Sequence, residues 1–513
     1  MVLDSTVMNV SISEVVADLH TTVSGLQAAI TFYTLTMAAF MLTGGKLGDK
    51  LGRLRAFRIG AIIYAVGSLI TALSPGLPSL MFGWSLIEGL GAVLVIPAIA
   101  ALIASHYKGK DRIIGFTLIG AASGVAVAAG PLIGGFVTTY FSWRYVFAAE
   151  TVIMAIILLS SRSMRESRIG IKKISIDIPS VILSSSGMAI LVLGILQSKT
   201  WGWVVPKSIP QIAGHDVAPF GISLVAYFIV IGATILWVFY RRQLMLEKTK
   251  RNPLLKVSML TIKHLRAGLA VLGAQYLITA AIFFVIPIYL QMMLGYNALE
   301  TGMRIFPLSV SIVLFSVLGS RLSGRYSPKQ IVKAGQWSLL SGSVFLLTAL
   351  NPEMKGWFFG TAMFIVGIGL GLLASQIGNV NMSSVPESQS SEVGGLQGTF
   401  QNLGSSLGTA IIGSVMIASL TTGFVESISA NPAIPENVKT SIQTQSQAGV
   451  PITSASDVEK YAINAGLPES EAASISSDYQ TSQLKSLKAS MFFLVVLAFV
   501  SLIFSRNIPD KIA

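Results

Sequence analysis

The sequence predicts an all-α polytopic membrane protein, and three observations predict it. Of 513 residues, 52% are hydrophobic and only 12% charged, with a mean hydropathy of +0.70, whereas soluble domains carry about a quarter charged residues. The apolar residues fall in runs long enough to cross a bilayer core of about 30 Å, which takes roughly 20 residues of helix. The charges that remain gather in short knots between those runs.

Applied along the chain, the length rule gives fourteen spans: 1–17, 27–47, 57–75, 79–104, 112–139, 144–161, 176–197, 218–240, 267–293, 302–320, 330–350, 356–383, 394–420 and 488–506. Basic knots lie at 46–58, 108–112, 162–173, 241–266 and 321–333. If the spans alternate, these knots and the C-terminus share one side and hold about 27 of the 36 Lys and Arg, so both termini are expected in the cytoplasm. The first span is short and polar, with Asp4, Ser5, Thr6, Asn9 and Ser11 before Val16; the reading adopted is that the first helix begins upstream of Met1. The longest polar stretch, 421–487, is expected to be extracytoplasmic, with 456–466 and 468–488 able to form amphipathic helices over the outer mouth.

Composition also excludes function classes. The net charge of +13 would suit nucleic acid, but basic residues placed between membrane-length apolar runs point to a bilayer. The absence of cysteine removes disulfides, thiolate metal sites and cysteine nucleophiles. His20, His106, His215 and His264 lack metal-ligand spacing, so no metal site is expected. Gly44-Gly45-Lys46-Leu47 lacks the leading glycine and trailing Ser or Thr of a phosphate-binding loop, which argues against ATP-driven transport. No cofactor and no enzymatic activity are expected.

Specific motifs follow. Gly45-Lys46-Leu47-Gly48-Asp49-Lys50-Leu51-Gly52-Arg53-Leu54-Arg55 joins spans 2 and 3; its glycines allow a tight turn, and Asp49 can pair with a base or face a helix N-terminus. It resembles the signature loop of the major facilitator superfamily, where Gly45, Asp49, Gly52 and Arg53 would gate. A degenerate echo, Leu322-Ser323-Gly324-Arg325-Tyr326-Ser327, stands between spans 10 and 11 with Gly324 where Asp49 would fall, as paired six-helix halves require. In span 5, Gly124 to Gly135 contains Gly130-Pro131-Leu132-Ile133-Gly134-Gly135, in which small residues permit close helix contact and the proline bends the span. The run resembles the superfamily's antiporter motif. Leu3-Asp4-Ser5-Thr6-Val7-Met8-Asn9-Val10, Trp143-Arg144-Tyr145-Val146-Phe147, and Pro287-Ile288-Tyr289-Leu290-Gln291 with Gly295, Tyr296 and Gly302 are similar to motifs of the fourteen-span drug:proton antiporters of EmrB/QacA type. The resemblance implies a major facilitator fold of two six-helix halves, 1–161 and 266–513, with two linker helices in 162–265. It also implies a prokaryotic plasma membrane.

Ionisable residues inside spans are costly and therefore functional candidates. Asp4 in span 1 and Glu88 in span 4 are the leading pair: a buried carboxylate can take either a proton or a cation, and the resemblance gives Asp4 a proton- or substrate-coupling role. Trp84, Ser85 and Glu88 share a helix face at three-and-four spacing, an arrangement suited to a lipophilic cation. Ser85 stands where the resembling family has arginine, and Glu88 where it has glutamine. That puts direct transfer of the family's coupling mechanism in question. Glu150 is placed at the outer boundary of span 6, and Asp177 is read as a helix-start carboxylate. In the second half Gln275, Gln291, Gln376, Asn379, Gln397 and Gln401 are uncharged cavity or packing candidates. The function expected is export of amphipathic, cationic, drug-like compounds in exchange for protons, by a monomer without nucleic-acid partners. Export of an endogenous metabolite such as an amino acid, lipid or siderophore is the alternative, and a non-transporting membrane sensor of the same fold is another.

Overall fold

The computed structural model describes residues 2–107, 109–164, 176–212, 215–249, 251–323, 325–385, 390–446 and 449–510. Gly324, the echo of Asp49, lies outside them, as do most residues of the 162–173 knot.

The first half runs α1 (Val2–Val10), α2 (Ile12–Asp18), α3 (Val23–Leu51), α4 (Arg53–Ala72), α5 (Leu77–Leu80), a π-helical stretch Met81–Glu88, α6 (Gly89–His106), α7 (Gly109–Tyr140) and α8 (Arg144–Ser160). Next come α9 (Ile178–Trp201) and α10 (Leu224–Lys248). The second half holds α11 (Lys263–Ile288) with a π-helical end Tyr289–Met293, α12 (Ala298–Leu322), α13 (Pro328–Ala349), α14 (Gly356–Ser383), α15 (Ser390–Ala430), α16 (Glu436–Gln445), α17 (Ala455–Asn464) and α18 (Glu469–Phe504). One two-residue antiparallel ladder, Gln211–Ile212 with His215–Asp216, departs from the all-helical expectation.

Eleven helices among the described residues are long and apolar enough to cross a membrane, against the fourteen expected. The other three expected segments also fall on helices, but each misses the length-and-apolarity measure. The first is broken at Ser11 into α1 and α2, the described apolar part of α7 is Val125–Tyr140, and α13 opens with Lys329 and Lys333. The polar stretch 421–487 is largely helical: α15 continues to Ala430, α16 follows, and α17 and the start of α18 at Glu469 fall at the helices expected over 456–466 and 468–488. Helical hydrogen bonding simply propagates past the apolar limit that the sequence reading used as a boundary.

Local chemistry explains where helices begin. Thr22 accepts from Gly25 N at 3.0 Å to cap α3, and Asn297 and Glu300 form a reciprocal capping box on α12. Ser327 and Gln330 do the same for α13, with Pro328 in the first turn. Gly52, at φ 99°, is the single break between α3 and α4. The Gly45–Leu51 run is therefore the last two turns of a helix, where a loop was expected. Arg53 reaches across to the Ala101 carbonyl at 2.9 Å.

Within the bundle α4 packs on α6 and α8, α1 on α7, α12 on α14 and α7, α13 on α14, and α3 and α11 on α15. The α8 and α10 surfaces are mostly turned outward, with Val152, Ile153, Ile156, Val230 and Trp237 exposed, as lipid-facing helices require.

The α9–α10 pair lies against α3 and α15 and is tied at its base. Arg242 donates to both Asp177 oxygens at 2.7 Å, and Asp177 accepts from Ser180 N at 3.1 Å as the N-cap of α9. The Arg242 guanidinium holds the Asp177 carboxyl down at about 2. A carboxyl depressed in this way stabilises the fold fully above its unfolded value of about 3.9 and loses that contribution as pH falls through about 2. Asp177→Asn is expected to lower the unfolding free energy at pH 7 by about 1 kcal/mol, after allowance for solvent screening. In thermal unfolding scans, the gap between wild type and variant should close as pH falls toward 2.

Candidate functional site: a buried carboxyl cluster in the first half

Three acidic side chains meet inside the first half. Asp4 of α1 and Glu88 at the end of the π-helical stretch are fully buried, and Glu150 of α8 is 8% exposed. One carboxylate oxygen from each lies within 4.8 Å of the others. Tyr33 of α3 donates its hydroxyl to Asp4 Oδ2 at 2.9 Å, and Trp84 Nε1 donates to the same oxygen at 3.3 Å. The Tyr64 hydroxyl stands between acids, 3.4 Å from Asp4 Oδ2 and 3.3 Å from Glu150 Oε2. Ser68, one turn further along α4, donates to Glu88 Oε2 at 2.7 Å. Trp84 is fully buried, stacked on Tyr33 at 4.9 Å and set edge-on to Phe147 at 6.2 Å.

Glycines make this approach possible. A Cβ on Gly67 would meet Glu88 N at 2.5 Å, one on Gly91 would meet Tyr64 N at 2.5 Å, and one on Gly60 would meet the Gly91 carbonyl at 2.9 Å. The α4 backbone therefore lies directly on the helix that carries Glu88, which brings Tyr64 and Ser68 into reach. The small residues of α7 do the same for Asp4: Gly130 faces Thr6, and a Cβ on Gly134 would come within 2.9 Å of Val7 Cα. On its other side this run touches the second half, where Gly135 lies against Ala298 and Leu299, and the Pro131 carbonyl against Gly302.

The cluster unites Asp4, Glu88 and Trp84, which the sequence singled out. It adds Tyr33, Tyr64, Ser68 and Glu150. The boundary placement of Glu150 is corrected, because the side chain is buried among the other two acids. The one sequence signal available for it was an acid within an apolar run; Tyr33, Tyr64 and Ser68 carry none that separates them from ordinary helix residues. Ser85 does not join the cluster, since its hydroxyl donates to the Ala29 carbonyl at 2.7 Å. The three-and-four face drawn for Trp84, Ser85 and Glu88 assumed an α-helix, and the π-helical winding over Met81–Glu88 redistributes it.

The second-half amides are dispersed. Gln275 lies within 3.5 Å of the Leu370 carbonyl, Gln376 donates to the Gly319 carbonyl at 3.0 Å, and Gln397 to the Gly378 carbonyl at 3.3 Å. Gln401 is half-buried on α15. Gln291 clasps the broken first helix, donating to the Val10 carbonyl and accepting from Ser13 N at 3.0 Å. Both groups are freed by the break at Ser11, whose hydroxyl bonds Thr138 at 2.7 Å. Where the two halves meet near Gly45 and Arg53, Glu392 of α15 pairs with Lys46 at 3.7 Å and with Lys256 at 3.1 Å.

Asp4, Glu88 and Glu150 form the single acidic grouping among the described residues spaced to hold a cation. An all-helical bundle with many membrane-length helices and such a buried polar centre is the architecture of a multi-pass membrane transporter. The chain belongs to the Major Facilitator Superfamily, to which residues 1–409 match. It is 26% identical over 420 residues to puromycin resistance protein pur8 of Streptomyces alboniger, covering 81% of this chain and 79% of that one. It is 26% identical over 426 residues to the probable actinorhodin transporter of Streptomyces coelicolor, covering 82% and 70%. It is also 24% identical over 424 residues to the riboflavin transporter RibZ of Clostridioides difficile, covering 82% and 86%. Among solved structures it resembles a bacterial homolog of the human lysosomal transporter Spinster, with a TM-score of 0.61, 14% identity and coverage of 99% and 94%. The family and the named transporters among these relatives indicate a transporter rather than an enzyme.

Proposed function

We propose that this protein exports amphipathic, cationic compounds in exchange for protons, as a fourteen-span antiporter of EmrB/QacA type. The observation that carries the reading is the Asp4–Glu88–Glu150 cluster beside the Trp84 ring. Carboxyls crowded in a low-dielectric interior share protons and do not all ionise together. A lipophilic cation arriving there can displace a proton, and a proton arriving can displace the cation; the indole face adds cation–π attraction. The identity of relatives such as pur8 supports an exported, drug-like cargo.

Fourteen crossings are supported by the helices found at all fourteen expected segments. We place both termini in the cytoplasm of a prokaryotic cell, the halves at 1–161 and 266–513, and α9–α10 as the linker pair. The transporter is read as a monomer that needs no cofactor, protons being the coupling ion. Lys46, Glu392 and Lys256, next to the Gly45–Arg53 segment, would then join the halves on the cytoplasmic side.

The test uses inverted membrane vesicles energised to an acidic lumen, with a pH-sensitive dye reporting inside. Ethidium or a quaternary ammonium compound is expected to dequench the dye as protons leave. If neither does so in vesicles holding folded protein while riboflavin does, the cargo is a metabolite. No response to any of them removes the exchange reading.

A further inference from the structure

A cavity of about 1310 Å³ lies at the end of the bundle away from Lys46 and Glu392, under the segment that joins α15 to α18. That segment is a built roof. Its helices α16 and α17 span 436–445 and 455–464, and the strap between them is fastened to the bundle at several points. Val450 N donates to Thr421 Oγ1 at 2.9 Å, Thr453 N donates to the Tyr479 hydroxyl at 2.9 Å, and Gln483 donates to the Thr453 carbonyl at 2.9 Å. Tyr479 in turn packs edge-on against Phe424 at 5.6 Å.

The floor of the cavity is the outer face of the seal between the halves. Ser13, which lines it, gives its backbone N–H to Gln291, and the next residue, Met292, lines it too. Asp4 lies nine residues before Ser13 in the chain, on the other side of the break at Ser11. The buried Val7, Met8 and Val10 stand between Asp4 and Ser13 along the chain.

The lining is apolar with hydroxyl and amide groups and the His20 imidazole interspersed, and among the described residues it contains no lysine or arginine. Its one carboxylate is already engaged: Asp457 Oδ2 accepts from Ser454 at 2.7 Å and from Thr453 Oγ1 at 3.3 Å, and Lys460 stands 3.9 Å from Oδ1. Such walls hold an apolar body and fix it with a few polar contacts, without selecting for charge. The inner cluster selects for charge.

We infer that this roofed chamber is a second binding site, which takes the apolar body of an amphipathic molecule once the carboxyl cluster has released it. The inference rests on the export reading above. A charge-blind site outside a charge-selective one lets a cation displaced by protons move outward without meeting a second strong trap. The Gln291 clasp on Val10 and Ser13 stands between the two.

The chain has no cysteine, so one introduced thiol reports alone. Ser441→Cys on α16 lines the chamber, and Ser470→Cys is an exposed control outside it. Each variant, held in lipid nanodiscs, is labelled with a membrane-impermeant maleimide with and without N-phenyl-1-naphthylamine, an uncharged amphipath. At about ten times its dissociation constant the probe is expected to slow labelling of S441C about tenfold and to leave S470C unchanged. Ala462→Trp, which puts an indole into the chamber from α17, is expected to weaken that protection while S441C still reacts. Unchanged labelling of S441C, equal slowing at both positions, or protection that A462W leaves undiminished would each overturn the chamber. No proton gradient enters the experiment, so the two readings fail separately. Dequenching without protection removes the chamber alone, and protection without dequenching removes the export reading alone.

Discussion

Asp4→Asn is expected to reduce cation-driven proton release from inverted vesicles to the level of vesicles lacking the protein. The substitution preserves shape, and the Asn carbonyl oxygen can still accept from Tyr33 and Trp84, which now bond Asp4 at 2.9 and 3.3 Å. What it removes is the group that can gain or lose a proton at the centre of the cluster. Asp4 is the member that the others converge on: two rings bond it directly, and Tyr64 links it to Glu150. Glu88→Gln keeps an acceptor for Ser68 and is expected to leave a reduced but measurable response. Its carboxyl is bonded from α4 and is one step removed from the aromatic donors. Full proton release by Asp4→Asn would sink the coupling role of the first helix. Equal, complete loss in both variants would make the pair a single proton-sharing unit.

Gly302→Leu is expected to abolish export by preventing closure of the two halves. Gly302 of α12 lies so close to the Pro131 carbonyl that any Cβ would collide with backbone, and a Cβ on Gly135 of α7 would lie 2.5 Å from the Ala298 carbonyl oxygen. A backbone oxygen cannot swing aside as a side chain can, so the helices must separate. Overpacking of this kind costs about 1–3 kcal/mol. Placed on an interface present in only one state of an alternating carrier, it would shift the balance between states by about 5- to 150-fold. Single-cysteine labelling at Ser13, whose backbone N–H the Gln291 clasp holds, reads this directly. Ser13→Cys combined with Gly302→Leu should react with an impermeant maleimide faster by a factor in that range than Ser13→Cys alone. An unchanged rate would show that the Pro131–Gly302 contact is packing within one rigid body.

The two experiments probe different properties of one region. The glycines of α7 hold the first helix, and with it Asp4, on one side, and meet α12 on the other. The first helix, which carries Asp4, and the contact with the second half thus rest on the same short stretch of backbone.

How much of this was readable beforehand depends on the range of the interaction involved. Every membrane-length helix corresponds to a segment marked by hydropathy, because helical hydrogen bonds are satisfied locally and a bilayer leaves the backbone no alternative, whereas α16 and α17 lie in the polar stretch. Asp4 and Glu88 stood out because charge inside an apolar run is locally anomalous. Gly130 to Gly135 stood out because small residues recur at helical spacing. The same local view placed Glu150 at a boundary and counted Gln291 as a cavity candidate. It drew Trp84, Ser85 and Glu88 on an α-helical face and set the limits of the polar stretch at the loss of hydropathy. The sequence by itself determined the membrane class, the helical segments and two of the three acids. Only the tertiary structure decided that Glu150 joins them, that Tyr33, Tyr64 and Ser68 serve them, and that Gln291 closes the break at Ser11. Those contacts join helices far apart in the chain, and their register is set by where glycines let backbones touch, a property of helix pairs that no single segment contains.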